Sequence, residues 1–328
     1  MEGGETVRAV VVNRAGGPDQ LKIEDVPDAG VGSGELLVEV EWAGLNFIDT
    51  YQRGGLYPME FPFTPGLEGA GTVLDVGEAV DDFTVGDRIA WADVLGTYAE
   101  RLVVPADRAV LLPDGLATEL AAAVLLQGMT AHYLAGDTFP LSAGDRCLIH
   151  AGAGGVGLLL TQIAHMRGAY VVTTVGTEEK AELSRAAGAD EVIVYTQVDF
   201  KEAVEESLGP HAIDVVYDGV GAATFHGSID LLRPRGMMVT FGNASGPVPE
   251  ITPLLLMQKG SIYLTRPTMA HYLRTSEERL SRTNDLFAWI QAGRLDVRIG
   301  ERFPLEQAAD AHRALEGRTT TGKVLLEI

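Results

Sequence analysis

The sequence predicts an α/β protein in two parts, a mostly β N-terminal domain followed by a doubly wound parallel sheet. Three observations carry this. Residues 1–125 hold short apolar runs separated by glycine and proline turns. From Asp145 onward, apolar runs of strand length alternate with amphipathic stretches of helix length. The first turn of that alternation is Ala-Gly-Ala-Gly-Gly-Val-Gly, residues 151–157.

The elements follow in order. Strands are expected at 7–13, 35–43, 71–76, 88–92 and 98–104, with Pro27, Pro58, Pro62, Pro65 and Pro113 as breakers. Apolar residues at helical spacing then mark a helix at 119–134. The second domain, 126–266, is expected to hold strands at 147–150, 170–175, 191–195, 214–217, 237–241 and 262–265. Helices at 158–167, 178–187 and 200–208 alternate with the first of these. The tail, 267–328, contains helical stretches at 277–292 and 305–315 and a strand at 323–328. That strand has no place in a finished parallel sheet, so the tail is expected to return to the first domain.

Composition narrows the function. A chain of 328 residues suits about two domains. The net charge of −21 repels phosphate backbones and anionic lipid, which disfavours a nucleic-acid or membrane-surface partner. Cys147 is the only cysteine, so neither a disulfide within the chain nor a cysteine-rich zinc site can form. No apolar run reaches 18 residues and the N-terminus lacks a charged-then-apolar leader pattern, so a cytoplasmic location is expected.

The glycine run matches G-x-G-x-x-G in the context that gives the pattern meaning, after a strand and opening a helix. Gly152 permits the tight turn, Gly154 lets backbone approach a pyrophosphate, and Gly157 lets helix and strand pack closely. Free N–H groups at the helix start then face the anion. The competing reading is a glycine-rich turn with no ligand. NAD sites place Asp or Glu at the tip of the second strand. Here that strand ends in Gly176-Thr177, while Glu178 and Glu179 come one step later. Lys180 follows and can reach a 2′-phosphate, so the spacing favours NADP; the alternative for Lys180 is an ordinary surface lysine.

Metal ligands are scarce. The histidines are His132, His150, His165, His211, His226, His271 and His312, and none pairs at metal-ligand spacing. His150, just before the glycine loop, reads better as a packed or capping residue. Three ligands for a catalytic zinc cannot be assembled, and no metal is expected.

Several segments together carry a family resemblance: Gly44-Leu45-Asn46-Phe47-Ile48-Asp49-Thr50-Tyr51, then Arg53-Gly54-Gly55-Leu56-Tyr57-Pro58, Gly86-Asp87-Arg88, the run from His150 to Gly157, Val175-Gly176-Thr177-Glu178-Glu179-Lys180, and Phe241-Gly242-Asn243-Ala244-Ser245-Gly246. From about Arg8 to Ile328 the chain resembles the zinc-independent NADPH:quinone oxidoreductase (zeta-crystallin-like) family of the medium-chain dehydrogenase/reductase superfamily. Where zinc-dependent members carry Cys, this chain has Asn46 or its neighbours; where they carry Gly-His-Glu, it has Gly66-Leu67-Glu68.

The resemblance implies a GroES-like catalytic domain, a Rossmann domain and a cleft between them. It implies that Asn46 stands beside the nicotinamide and Thr130 near its ribose, with Gly152, Gly154, Gly155, Val156 and Gly157 cradling the pyrophosphate. Gly176, Thr177, Lys180, Tyr195 and Arg318 would surround the 2′-phosphate, and Phe241, Gly242 and Asn243 would form the loop holding the carboxamide. Asp49, Tyr51 and Tyr57 would line the substrate side, against competing roles in capping for Asp49 and in packing for the tyrosines. Gln127 falls where some relatives carry Lys, which leaves the role of that position open, and Lys323 is read as structural or left unassigned. The implied activity is hydride transfer from NADPH to a quinone, with Asn46 donating a hydrogen bond to the acceptor oxygen or fixing the carboxamide, and a tyrosine or water supplying the proton. Two rivals are an enone, enal or haloacrylate double-bond reductase and, from another class, an NADPH-binding structural or regulatory protein. A homodimer joined through the strand at 262–265 is also implied.

Overall fold

The computed structural model describes residues 6–328. The first five residues, on which the start of the expected N-terminal domain and the expected absence of a leader pattern fall, lie outside the described residues.

In chain order the first strands are β1 (Thr6–Val12), β2 (Leu21–Pro27) and β3 (Glu35–Leu45), followed by the short helix α1 (Phe47–Gly54). Next come β4 (Glu68–Val76), β5 (Arg88–Ala92), β6 (Arg101–Pro105), β7 (Ala109–Leu111) and the helix α2 (Thr118–Tyr133). The central region runs β8 (Arg146–His150), α3 (Gly155–Met166), β9 (Tyr170–Val175), α4 (Glu178–Ala186), β10 (Glu191–Val194), α5 (Phe200–Leu208) and β11 (Ile213–Asp218). It continues with α6 (Phe225–Leu231), β12 (Leu232–Thr240), α7 (Pro253–Gln258), β13 (Tyr263–Thr265) and α8 (Met269–Tyr272). The tail holds α9 (Ser276–Gln291), β14 (Ile299–Pro304), α10 (Ala308–Glu316) and β15 (Lys323–Glu327).

The chain divides into two compact units, Met1–Leu126 with Leu273–Ile328, and Gln127–Tyr272. The first unit contains the hairpin β1-β2 and a sheet ordered β14-β15-β3-β4-β5-β7, with β6 also on β3. The tail belongs here because β15 lies antiparallel to β3, with Val324 opposite Leu45. Its buried face packs Val324 and Leu326 against Val10, Val12, Ala43 and Leu45. Gly71 allows β4 to approach β3, since a Cβ there would lie 1.9 Å from the Glu39 carbonyl oxygen.

The second unit is a parallel sheet ordered β10-β9-β8-β11-β12-β13. Strand order reverses between β8 and β11, and in such sheets the crevice at the carboxyl ends of those strands is where ligands bind. Val172, Ile193, Val216 and Met238 of the sheet pack against Val204, Phe225 and Ile229 of the helices. Among the described residues, no helix is long and apolar enough to cross a membrane.

Three differences from the sequence reading have physical causes. Helix α3 begins at Gly155, three residues earlier than the apolar periodicity starts, because glycines leave no apolar mark. The helix read at 305–315 starts as a single 3-10 turn, Leu305–Gln307, before α10. Helix α1 went unread because the residues it buries are Asp49, Thr50 and Arg53.

Candidate functional site

In the first unit, three strand ends converge. Asn46 follows the last residue of β3, Glu68 opens β4 and Lys323 opens β15. Strand register brings them together: Ala43 faces Gly69 and Leu45 faces Val324. All three side chains are buried, with relative exposures of 4%, 0% and 1% for Asn46, Glu68 and Lys323. The Lys323 ammonium forms an ion pair with Glu68 Oε2 and donates to Asn46 Oδ1 at 2.9 Å. Asn46 Nδ2 donates to Glu68 Oε2 at 2.9 Å and to the Gly44 carbonyl at 3.2 Å. The other Glu68 oxygen accepts the Leu126 N–H at 2.7 Å. Glycine at 44 makes room, since a Cβ there would lie 2.6 Å from Glu68 Oε2.

A second buried network starts one turn later. Asn46 is the N-cap residue of α1, and its N–H donates to Asp49 Oδ2 at 2.8 Å. The Tyr98 hydroxyl donates to the same oxygen at 2.9 Å. Tyr98 also faces His312 Nε2 at 3.5 Å, and Arg53 donates to His312 Nδ1 at 2.9 Å. Arginine has no acceptor, so Nδ1 accepts and the neutral ring carries its proton on Nε2, towards Tyr98. Arg53 continues to Glu316 at 2.6 Å. Donors therefore run in one direction, from Arg53 through His312 and Tyr98 to Asp49.

Burial dominates the titration of this network. It pushes the Asp49 carboxyl up to about 7, against the hydrogen bonds from Asn46 and Tyr98 and the charge of Lys323, with the Glu68 charge adding to the rise. It pushes the Tyr98 phenol well above its ordinary value, with the Asp49 charge helping. His312 is lowered to about 3 by burial and then by the Arg53 charge. Asp49 Oδ2 already accepts two hydrogen bonds while Oδ1 has no partner among the described residues, so Oδ1 is where a proton would reside.

In the second unit, the glycine loop leads from β8 into α3. The N-cap residue Gly154 offers no side-chain cap, whereas Thr177 caps α4 and Asp199 caps α5. The first turn of α3 is thus left with N–H groups for an outside anion. At Gly157 a Cβ would lie 2.2 Å from the Ala151 carbonyl oxygen, and at Gly155 one would lie 1.9 Å from Gln127 Oε1. No carboxylate stands at the tip of β9. A Cβ at Gly176 would lie 2.9 Å from the Tyr195 hydroxyl, and Thr196 Oγ1 donates to the Gly176 carbonyl. After β11, Asp218 accepts from the N–H groups of Val220 and Gly221 and from Thr224. The loop after β12 is fixed beside it, with the Phe241 N–H on the Asp218 carbonyl and Arg266 on the Gly242 carbonyl. These residues fit a dinucleotide carrying a phosphate on its ribose: an uncapped helix start, a glycine-rich loop leading into it and a strand tip without an acid.

The sequence-predicted residues divide between the units. Asn46, Asp49, Tyr51, Tyr57 and Arg318 lie in the first; Thr130, Val156, Gly152, Gly154, Gly155, Gly157, Gly176, Thr177, Lys180, Tyr195, Phe241, Gly242 and Asn243 lie in the second. Tyr51 and Tyr57 meet edge to face at 5.4 Å between ring centres. Thr130 is buried on α2, Lys180 is half-buried in the first turn of α4, and Arg318 is exposed with a left-handed backbone (φ 57°). Asp49 does serve in capping, accepting the Asn46 N–H. His150 is packed, bonded at 2.8 Å to both Thr174 and Ser228, and burial lowers its pKa. Among the described residues, no group of three or more His, Cys, Asp and Glu is placed to hold a metal ion. The sequence reading passed over Glu68, Lys323, Tyr98, His312 and Arg53 as site residues. A signal existed for two of them: Glu68 and Lys323 are charged residues opening strands whose next three residues are buried and uncharged.

Residues 32–114 match the alcohol dehydrogenase GroES-like domain family, and residues 187–326 match the zinc-binding dehydrogenase family. The chain is 45% identical over 313 residues to a quinone oxidoreductase of Pseudomonas aeruginosa, spanning 95% of this chain and 96% of that one. It is 39% identical to a 2-haloacrylate reductase of a Burkholderia species, spanning 98% of both. Among solved structures, the Escherichia coli quinone oxidoreductase complexed with NADPH superposes with a TM-score of 0.95 at 40% identity, covering 98% of this chain and 99% of that one. The fold and these similarities define a medium-chain dehydrogenase/reductase. Within that superfamily the chain belongs to the quinone oxidoreductase family.

The two shifted groups predict opposing pH effects on stability. Asp49, with its folded pKa raised to about 7, contributes stability that is present at acid pH and lost as pH rises through about 7. His312, with its folded pKa lowered to about 3, contributes stability that is present above its ordinary value and lost as pH falls towards 3. Between about pH 4 and 6.5 the slopes cancel in part. His312→Gln should leave stability falling as pH rises from about 4 to 7, and Asp49→Asn should leave it rising from about 3 to 6.5. Denaturant midpoints measured across this range decide; two variants with the same slope would refute the assignment.

Proposed function

We propose that this protein is a cytoplasmic NADPH:quinone reductase that transfers hydride without zinc. The observation carrying the cofactor half is the uncapped start of α3 behind the glycine loop, combined with the acid-free tip of β9. Gly152, Gly154, Gly155, Val156 and Gly157 hold the pyrophosphate on this reading. Gly176, Thr177, Lys180, Tyr195 and Arg318 serve the 2′-phosphate, Thr130 the nicotinamide ribose, and Phe241, Gly242 and Asn243 the carboxamide. Bound NADPH supplies the hydride. Asn46 places its amide beside the reacting oxygen, and Tyr51 and Tyr57 form an aromatic wall suited to a planar acceptor.

The zinc-free half rests on Glu68. Its carboxylate is committed to the Lys323 ammonium, the Asn46 amide and the Leu126 N–H, and its neighbour is Leu67. A second reading, reduction of an electron-poor C=C bond, has the 39% identity to a 2-haloacrylate reductase in its favour.

A steady-state screen of simple quinones, enones and 2-haloacrylates with NADPH, before and after chelation, tests both halves. Quinones should be the best acceptors and chelation should leave turnover unchanged. Loss of activity on chelation refutes the zinc-free reading. Preference for enones or haloacrylates transfers the assignment to the second, and no turnover with any acceptor leaves a binding protein.

Cofactor choice is tested at Lys180. A hydrogen bond to a charged group is worth roughly 1.5–3 kcal/mol, and about 1.4 kcal/mol is tenfold. Lys180→Ala should weaken NADPH about ten- to a hundredfold and leave NADH nearly unchanged, by fluorescence titration. Equal losses would remove Lys180 from phosphate recognition.

We propose a homodimer joined at β13. This edge strand exposes Tyr263 (58%), and α7 beside it in sequence exposes Leu254 (55%) and Met257 (59%). Unpaired strand edges need cover. Light scattering at micromolar concentration should give twice the chain mass; a monomer refutes the dimer.

A further inference from the structure

Lys323 has no role in the reading above beyond its pairing, yet its contacts are specific. Its ammonium reaches two atoms, Glu68 Oε2 and Asn46 Oδ1. The consequence falls on the Asn46 amide. With a cation on the oxygen, a carboxylate on one side of the nitrogen and a carbonyl on the other, only one orientation of that amide satisfies its surroundings. Swapping oxygen and nitrogen would set N–H against an ammonium and oxygen against a carboxylate. A charge-assisted bond at the amide oxygen also polarises the group and strengthens its N–H donors. Of the two, the bond to Gly44 is the longer, at 3.2 Å, so its hydrogen is the one best able to share with a ligand oxygen.

We propose that Lys323 is a positioning residue for the reaction, locking and polarising the Asn46 amide so that one N–H is held ready for the acceptor oxygen. Glu68 completes the device by neutralising the ammonium and fixing the second N–H. This rests on the placement of Asn46 at the reacting centre in the proposed function. The geometry supports a role beyond filling the core: an apolar residue would fill the same volume without the desolvation that a buried ion pair demands.

Lys323→Met alone strands the Glu68 carboxylate and is expected to unfold or loosen the first unit. The informative variant is therefore Glu68→Gln/Lys323→Met, which removes both charges together. It should fold and bind NADPH with an affinity close to wild type, because neither residue is among those assigned to the pyrophosphate, the 2′-phosphate or the carboxamide. Its kcat with a quinone should fall about tenfold to a hundredfold with little change in quinone KM. Asn46→Ala, made in both backgrounds, should lower kcat about a hundred- to a thousandfold in the wild-type chain and far less in the double variant. Equal losses in the two backgrounds, or wild-type kcat in the double variant, overturn the proposal.

A second readout needs neither cofactor nor turnover. In the full chain labelled with 15N-asparagine, the Asn46 side-chain amide should give two separate, slowly exchanging proton signals. In the double variant they should shift and exchange at least tenfold faster. Signals indifferent to the substitutions overturn the proposal. If the wild-type chain reduces no quinone yet the signals respond as stated, the functional reading fails and the locking of the amide stands.

Discussion

The ion pair between Lys323 and Glu68 is the contact around which the first unit is arranged. Both groups are withdrawn from water, so their attraction must be supported by further hydrogen bonds to offset the lost hydration. The Leu126 N–H and the Asn46 amide supply that support. In return, the starts of β4 and β15 and the end of β3 are tied at one point. Asn46 is fixed there, and α1 starts from it. Asp49 is then set three residues into the helix, where it accepts from Tyr98, the last member of the row that starts at Arg53 and passes through His312. The polar interior thus joins β3, β4, α1, α10 and β15 through directed bonds, while the surrounding Leu36, Val38, Ile89 and Trp91 contribute apolar burial.

The second unit is organised differently. Its sheet and helices are held mainly by apolar contacts, and its buried polar groups serve both a loop and the joins between elements. Asp218 shapes the turn after β11, and His150 links β8, β9 and α6 through Thr174 and Ser228. The glycine loop leaves the start of α3 without a side-chain cap. One unit offers backbone N–H groups at the switch point of a parallel sheet, and the other offers a preset side-chain amide with charges behind it. The two units thus carry their polar groups differently, one as backbone N–H groups at a helix start and the other as a buried side-chain cluster.

Much of this was legible in the sequence, for reasons visible at particular residues. The central parallel strands declare themselves because strands buried on both faces are almost wholly apolar, as in Cys147–His150 before the loop. The glycine motif is legible because spacing itself carries its chemistry. Strands β2 and β14 are not, since their exposed residues break any alternation. Helix α1 hides because its inward face is polar, whereas α9, which also buries Arg279, Arg282 and Thr283, is legible because Leu286 and Phe287 are buried with them. Asn46 was found through family likeness, but its partners were not. Nothing in local sequence links Glu68 to Lys323; only strand register brings them together.

The separation between those partners has a consequence for how the molecule is made. Asn46 and Lys323 lie 277 residues apart, and Arg53 and His312 lie 259 apart. As the chain leaves the ribosome, the segment Gln127–Tyr272 emerges whole and holds every strand of its own sheet. The earlier segment must wait, with the Glu68 carboxylate lacking its cation, until residue 323 has been added. Contacts so distant in sequence form slowly because long loops must close first. The polar cluster of the first unit therefore closes only after the tail has been made, whatever the rest of that unit has done by then.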